Sequence, residues 1–129
     1  MLTKIRDFFK KEYGWDKSIS VGRIDKDCDK AVCFYNSKHG SPKTTVLGGK
    51  INKSYRFLPI TILLRWTNSP VEAEAKAQEL FEFFDEKTFY INEQRVFVIS
   101  RYDFPIDLGS DENGVCEYSL ELDFYFNKE

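Results

Sequence analysis

The stretch from Gly40 to Lys50, "GSPKTTVLGGK", gathers residue types that can hold a phosphate: glycines, two lysines, a serine and two threonines. A Walker-type cradle needs Gly, four residues, then Gly-Lys-Ser/Thr, leading from a strand into a helix. Only then do backbone N–H groups and a helix N-terminus face the anion. Aligning Gly49-Lys50 to that pattern puts Thr44 at the first glycine and Ile51 where the metal-binding hydroxyl belongs. A strand pattern follows, not a helix. The segment is therefore expected to be a flexible loop or β-arm, spanning about residues 36–53.

The remaining candidates for chemistry are similarly incomplete. "DKDCDK" sets Asp25, Asp27 and Asp29 at alternate positions like the opening of a calcium loop, which also needs Gly at its sixth position and Glu at its twelfth. Those positions hold Lys30 and Asn36, so a polar turn is expected. Cys28, Cys33, His39 and Cys116 lack the second close pair that completes a zinc set. Cys33 and Cys116 lie in strand patterns, where a free cysteine acts as a small core residue. His39, the single histidine, has no acid nearby in sequence, and no local Cys/His nucleophile signature is present. Asp111-Glu112 and Glu121/Asp123 fall on a turn and on a strand face expected to be solvated. These residues predict no catalytic group, no cofactor and no metal.

Leu2, Ile5, Phe8, Phe9 and Tyr13 recur at three- and four-residue steps, predicting an amphipathic helix that Gly14 ends. "SISVGRI" and "KAVCFYN" are strand patterns joined by "DKDCD", for which a hairpin is the simplest connection. "YRFLPITILLRWT" is apolar on both faces and predicts a central strand. At Pro59 either a bend or bulge is expected, or pairing that starts after it. "SPVE" (Ser69–Glu72) is a capping box with proline at the first helical position, opening a helix whose stripe is Ala73, Ala77, Leu80, Phe81 and Phe84. "FYINEQRVFVIS" predicts a hairpin with "NEQ" as its turn. "GVCEYSLELDFYF" alternates strictly, predicting a long strand with Cys116, Tyr118, Leu120, Leu122, Phe124 and Phe126 inward. Glu117, Ser119, Glu121 and Asp123 would then face water. The expected fold is α+β: a mostly antiparallel sheet with two amphipathic helices packed on it, in a single domain over residues 1–129.

Composition agrees with a packed domain. The 129 residues are 42% hydrophobic and 16% aromatic, with 12 Phe, 7 Tyr and 2 Trp, which excludes a disordered chain. Lys+Arg (19) and Asp+Glu (21) nearly balance at a net −2, so nothing calls for stable binding to nucleic acid or to an anionic membrane. Three cysteines at irregular spacing and a charged N-terminus lead to the expectation of a cytoplasmic protein without disulfides or membrane helix.

Several blocks together resemble the minor capsid or tail-terminator proteins of long-tailed bacteriophages of Gram-positive hosts. They are "ISVGRIDKD" with "KAVCFYNSK", "LGGKINKSYRFLPITILLRWT", "AEAKAQELFEFF" and "FPIDLGSDENGVCEYSLELDFYF". The resemblance implies a non-enzymatic virion protein at the head–tail junction, made in the host cytoplasm. It would cap the tail tube as a ring, usually a hexamer, and offer a surface to head-completion proteins. DNA would pass through without specific binding. The expected partners are further copies of the chain, the tail tube protein and the head-completion proteins. Another head–tail connector is the alternative role, and a small-ligand α+β enzyme the alternative from a different class. The residues expected at an assembly interface, on physical grounds, are Lys43 and Lys50 on the loop and Arg56, Arg65 and Trp66 on the central strand, with an ordinary core position the stronger alternative for Trp66.

Overall fold

The computed structural model describes residues 2–37 and 55–127. The fold is mixed α+β. Its order is α1 (Leu2–Phe9), a π-helical turn (Lys10–Gly14), β1 (Ser18–Val21), β2 (Lys30–Asn36), β3 (Tyr55–Trp66), α2 (Pro70–Phe84), β4 (Thr88–Ile91), β5 (Gln94–Ser100), β6 (Ile106–Ser110) and β7 (Cys116–Asn127). The sheet runs β1-β2-β3-β7-β5-β4, and β6 pairs with β7 beyond the end of β5.

The β3–β7 ladder is the spine of the molecule, paired without interruption from Tyr55↔Asn127 to Arg65↔Glu117. Its core face carries Ile60, Ile62, Leu64, Leu120, Leu122 and Phe124, all essentially buried. At about 25 cal/mol per Å² of apolar surface removed from water, each contributes roughly 1.5–3 kcal/mol. Pro59 sits within β3 opposite Asp123 without interrupting that ladder. The β2 ladder starts one residue later, at Ile60↔Asn36, and the Pro59 carbonyl accepts from Ser37 N–H at 3.1 Å. The missing proline donor thus points past the end of the β2 ladder, where it costs no ladder bond.

Helix α2 follows its sequence signature except in the second half of the capping box, where Ser69 N–H donates to Thr67 Oγ1 at 3.3 Å and not to the Glu72 carboxylate. Ser69 caps it by accepting from Glu72 N–H, Pro70 opens it, and Ala73, Ala77, Leu80, Phe81 and Phe84 are its buried residues. The N-terminal segment differs from expectation. Regular α-helix stops at Phe9, and a π-turn carries the chain to Gly14, whose φ of +80° favours glycine. Ile5 and Phe9 are fully buried, and the Phe9 ring stacks on Phe84 at 5.4 Å.

Three further expectations are corrected. β1 and β2 pair in parallel, so the Gly22–Asp29 segment is a crossover and not a hairpin turn. Gly22 (φ +85°) turns the chain back, with its N–H donated to Phe34 O at 2.9 Å, and Asp25 knots the crossover from within. The outward face of β7 is not simply wet: Ser119 and Asp123 are 5% and 8% exposed, Ser119 donating to Glu121 Oε1 at 3.0 Å and Asp123 lying 3.6 Å from Arg101. A strand that sequence patterning does not announce, β6 ("IDLGS"), is bulged between Asp107 and Gly109. The "NEQ" hairpin is present, but its turn is Asn92-Glu93 alone, both at positive φ, and Gln94 already belongs to β5.

Candidate functional site

Among the described residues the chemistry-bearing side chains lie apart from one another or serve as structural hydrogen-bond partners. Among the described residues no three of His, Cys, Asp and Glu come together as a metal set. Cys28 donates its thiol to Asp25 Oδ2 at 3.3 Å, and that bond, together with burial, raises its pKa. This is opposite to what an activated nucleophile needs. Asp25 accepts from Asp27 N–H, from Cys28 and from Ser18 Oγ, which holds its carboxyl below the usual range. It acts as the knot of the crossover. Cys33 and Cys116 are buried. His39, Lys43 and Lys50 lie outside the described residues.

Arg65 is the charged hub. It is 2% exposed, and its guanidinium donates to Asp111 Oδ2 at 2.8 Å, Glu117 Oε2 at 3.3 Å, Cys28 O at 3.3 Å and Lys26 O at 3.4 Å. Burial alone would lower its pKa, but the two carboxylates outweigh this and keep the cation charged. Asp111 is held below the usual carboxylate range, first by Arg65 and then by the N–H groups of Val115 and Asn113. One side chain therefore clasps the β1–β2 crossover to the β6–β7 turn. The available signal was an arginine inside an apolar central strand, since such a residue is buried only with acidic partners.

Trp66 lies on the opposite face of the same strand, half-buried. Lys76 Nζ sits 4.7 Å from the Trp66 ring centroid, 5.4 Å from Tyr13 and 6.0 Å from Trp15, while Lys30 approaches Trp66 from 5.0 Å. Tyr13 donates to Glu79 and accepts from Lys76; burial, then Glu79, pushes its phenol well above the usual value. This cation-filled aromatic box joins α2 to the N-terminal segment and β3. Arg56, by contrast, is exposed on β3.

Glu121 gathers hydroxyls on the second sheet face: Thr61 Oγ1 at 2.7 Å, Ser37 Oγ at 2.9 Å and Ser119 Oγ at 3.0 Å. Apolar side chains are displayed elsewhere on the surface. Phe104 is 72% exposed, Tyr90 65%, and Tyr102 and Leu108 51% each. Tyr102, Phe104 and Leu108 belong to the β5–β6 connection and β6, while Tyr90 projects from the edge strand β4 beside a shallow groove against α1. Sequence reading did not single these residues out. For Tyr102, Phe104 and Leu108 the signal was large apolar residues in a segment, "YDFPIDLG", that has no core periodicity.

An arrangement of clasps, exposed edges and displayed apolar side chains suits contact with other macromolecules. The model of a protein family described as bacteriophage tail terminator protein matches residues 10–128 of the chain. No curated protein and no solved structure matches it. The match takes in every strand and α2, so the chain belongs to the bacteriophage tail terminator family and is a structural component of the virion.

Proposed function

We propose that this protein ends the tail of a long-tailed phage of a Gram-positive host, closing the tail tube as a ring of identical subunits, six in the simplest reading. The ring then presents its other face to head-completion proteins, and DNA moves through it. The family match over residues 10–128 carries this reading. Two physical features support it. A chain at net −2 lacks the surplus of Lys and Arg that would retain phosphates strongly, which suits a passage that must not hold DNA. The exposed Phe104, Tyr90, Tyr102 and Leu108 supply apolar area for subunit contact.

Within this reading Arg56 is placed at a neighbour or at the tube, and residues 40–49, with Lys43 and Lys50, act as an assembly arm. Arg65 and Trp66 contribute by holding the elements beneath that surface. Synthesis takes place in the host cytoplasm. Native mass spectrometry over a range of concentrations, with and without the tail tube protein, tests the proposal. A discrete ring in either condition supports it; a strict monomer indifferent to the tube would overturn it in favour of another connector role. Deletion of residues 40–49 should leave a folded monomer unable to form that ring, and normal ring formation by the deletion variant would remove the arm from the account.

A further inference from the structure

We propose that the segment 102–108 of one copy docks into the groove between α1 and β4 of a second copy. The inference rests on the self-assembly reading above and specifies its contact. The inserting surface is the β5–β6 connection with β6. It presents Phe104, Tyr102 and Leu108 to solvent, interleaved with the carboxylates of Asp103 and Asp107. Its backbone is held in place: Arg101 N–H donates to Glu121 O at 2.9 Å, Ser100 Oγ donates to Tyr102 O at 2.7 Å, and Ile106 and Ser110 pair with Ser119 and Cys116 of β7. Displaying the apolar side chains on an ordered backbone removes much of the ordering cost of association.

The receiving surface combines aromatic side chains with a surplus of lysines. Phe8 and Phe89, stacked at 3.9 Å, line the groove, and Tyr90 and Ile91 extend it along β4. Lys4, Lys11 and Lys87 also line it, against two carboxylates: Asp7, which Arg6 already holds at 3.0 Å, and Glu12, so the groove keeps a surplus of positive charge. An aromatic anchor between two carboxylates matches an aromatic-lined groove edged by lysines. Among the described residues β4 is also the terminal strand of the sheet, paired on one side with β5, which leaves its outer edge to an extended segment. The two surfaces differ, so the contact is heterologous. Each copy offers its insert to one neighbour and its groove to another, as a ring requires.

The test is native mass spectrometry and sedimentation of the full chain. An insert variant carries Asp103→Lys and Phe104→Ser; a groove variant carries Lys4→Glu and Lys11→Glu. All four positions are exposed, so melting temperatures should stay at the wild-type value. Each variant alone should associate about tenfold or more weakly, equivalent to ~1.4 kcal/mol per contact. An equimolar mixture should form one-to-one pairs, because each variant keeps the surface that the other lacks. Combining Asp103→Lys with Lys4→Glu and Lys11→Glu in one chain should recover association. If the wild type assembles and both variants assemble equally well, this contact is wrong while self-assembly stands. A wild type that stays monomeric with and without tail tube protein removes self-assembly and this contact together.

Discussion

Replacing Arg65 by methionine removes the cation that holds four acceptors. Two of these are backbone carbonyls of the β1–β2 crossover, and two are the carboxylates of Asp111 and Glu117. Methionine fills much of the volume but donates nothing, so the acceptors beneath it lose their partner. Removing one member of a buried pair typically costs about 3–5 kcal/mol. The side chains of Asp111 and Glu117 are 20% and 22% exposed and can turn partly to water, which places the expected loss at the low end, about 3 kcal/mol. For a domain of this size each kcal/mol shifts the melting temperature by roughly 4 °C, so calorimetry should record a drop of about 12 °C. Hydrogen exchange should locate the loosening in residues 22–29 and 111–117 and leave the β3–β7 ladder protected. Arg65→Lys should fall between wild type and Arg65→Met, because an ammonium cannot reach four acceptors in a planar fork. A drop of less than about 4 °C for Arg65→Met, or exchange that rises evenly over the chain, would refute the clasp.

Three further outcomes follow from the same structure. Because Asp111 ionises at lower pH folded than unfolded, its contribution is complete above the usual carboxylate value and is lost as pH falls through the folded one. Melting temperatures between pH 6 and pH 2.5 should therefore fall less steeply for Asp111→Asn than for wild type, and parallel curves would remove Asp111 from the acid response. Glu93 holds φ +70° in the two-residue β4–β5 turn, so Glu93→Gly should stabilise the fold by about 1 kcal/mol in chemical denaturation, whereas a loss would show that its side chain matters more than its backbone. Lys76→Met should cost about 1 kcal/mol and alter tryptophan fluorescence, since Lys76 lies over both indoles; an unchanged spectrum would mean that the box does not hold in solution.

What could be read in advance was whatever the chain encodes locally. Ser69, Pro70 and Glu72 announce α2 through capping chemistry, and its buried stripe follows from helical spacing. The alternation in β7 identified the core face correctly because that face meets a single apolar layer. Its other face was misread. Glu121 and Asp123 look solvated in sequence, yet Thr61, Ser37 and Ser119 gather at Glu121, and Arg101 lies 3.6 Å from Asp123. The parallel pairing of β1 with β2 was also out of reach. A short polar linker between strands ordinarily signals a hairpin, and the bonds that favour the crossover come from Asp25 and from Arg65, 37 residues beyond Cys28. β6 escaped notice because five residues broken by a glycine bulge carry no strand periodicity. The exposure of Tyr90 was out of reach because it follows from the place of β4 at the edge of the folded sheet, whereas Phe104 carried a signal in its lack of core periodicity.

The central claim is that this protein stops tail growth. The most direct measurement is the length distribution of tubes, by negative-stain electron microscopy, when the tail tube protein is polymerised with and without an excess of this chain. The account predicts runaway tubes without the protein, and with it tubes that are short, closed at one end by added density and no longer able to elongate. Tubes of the same length in both reactions, with no density at either end, would contradict it.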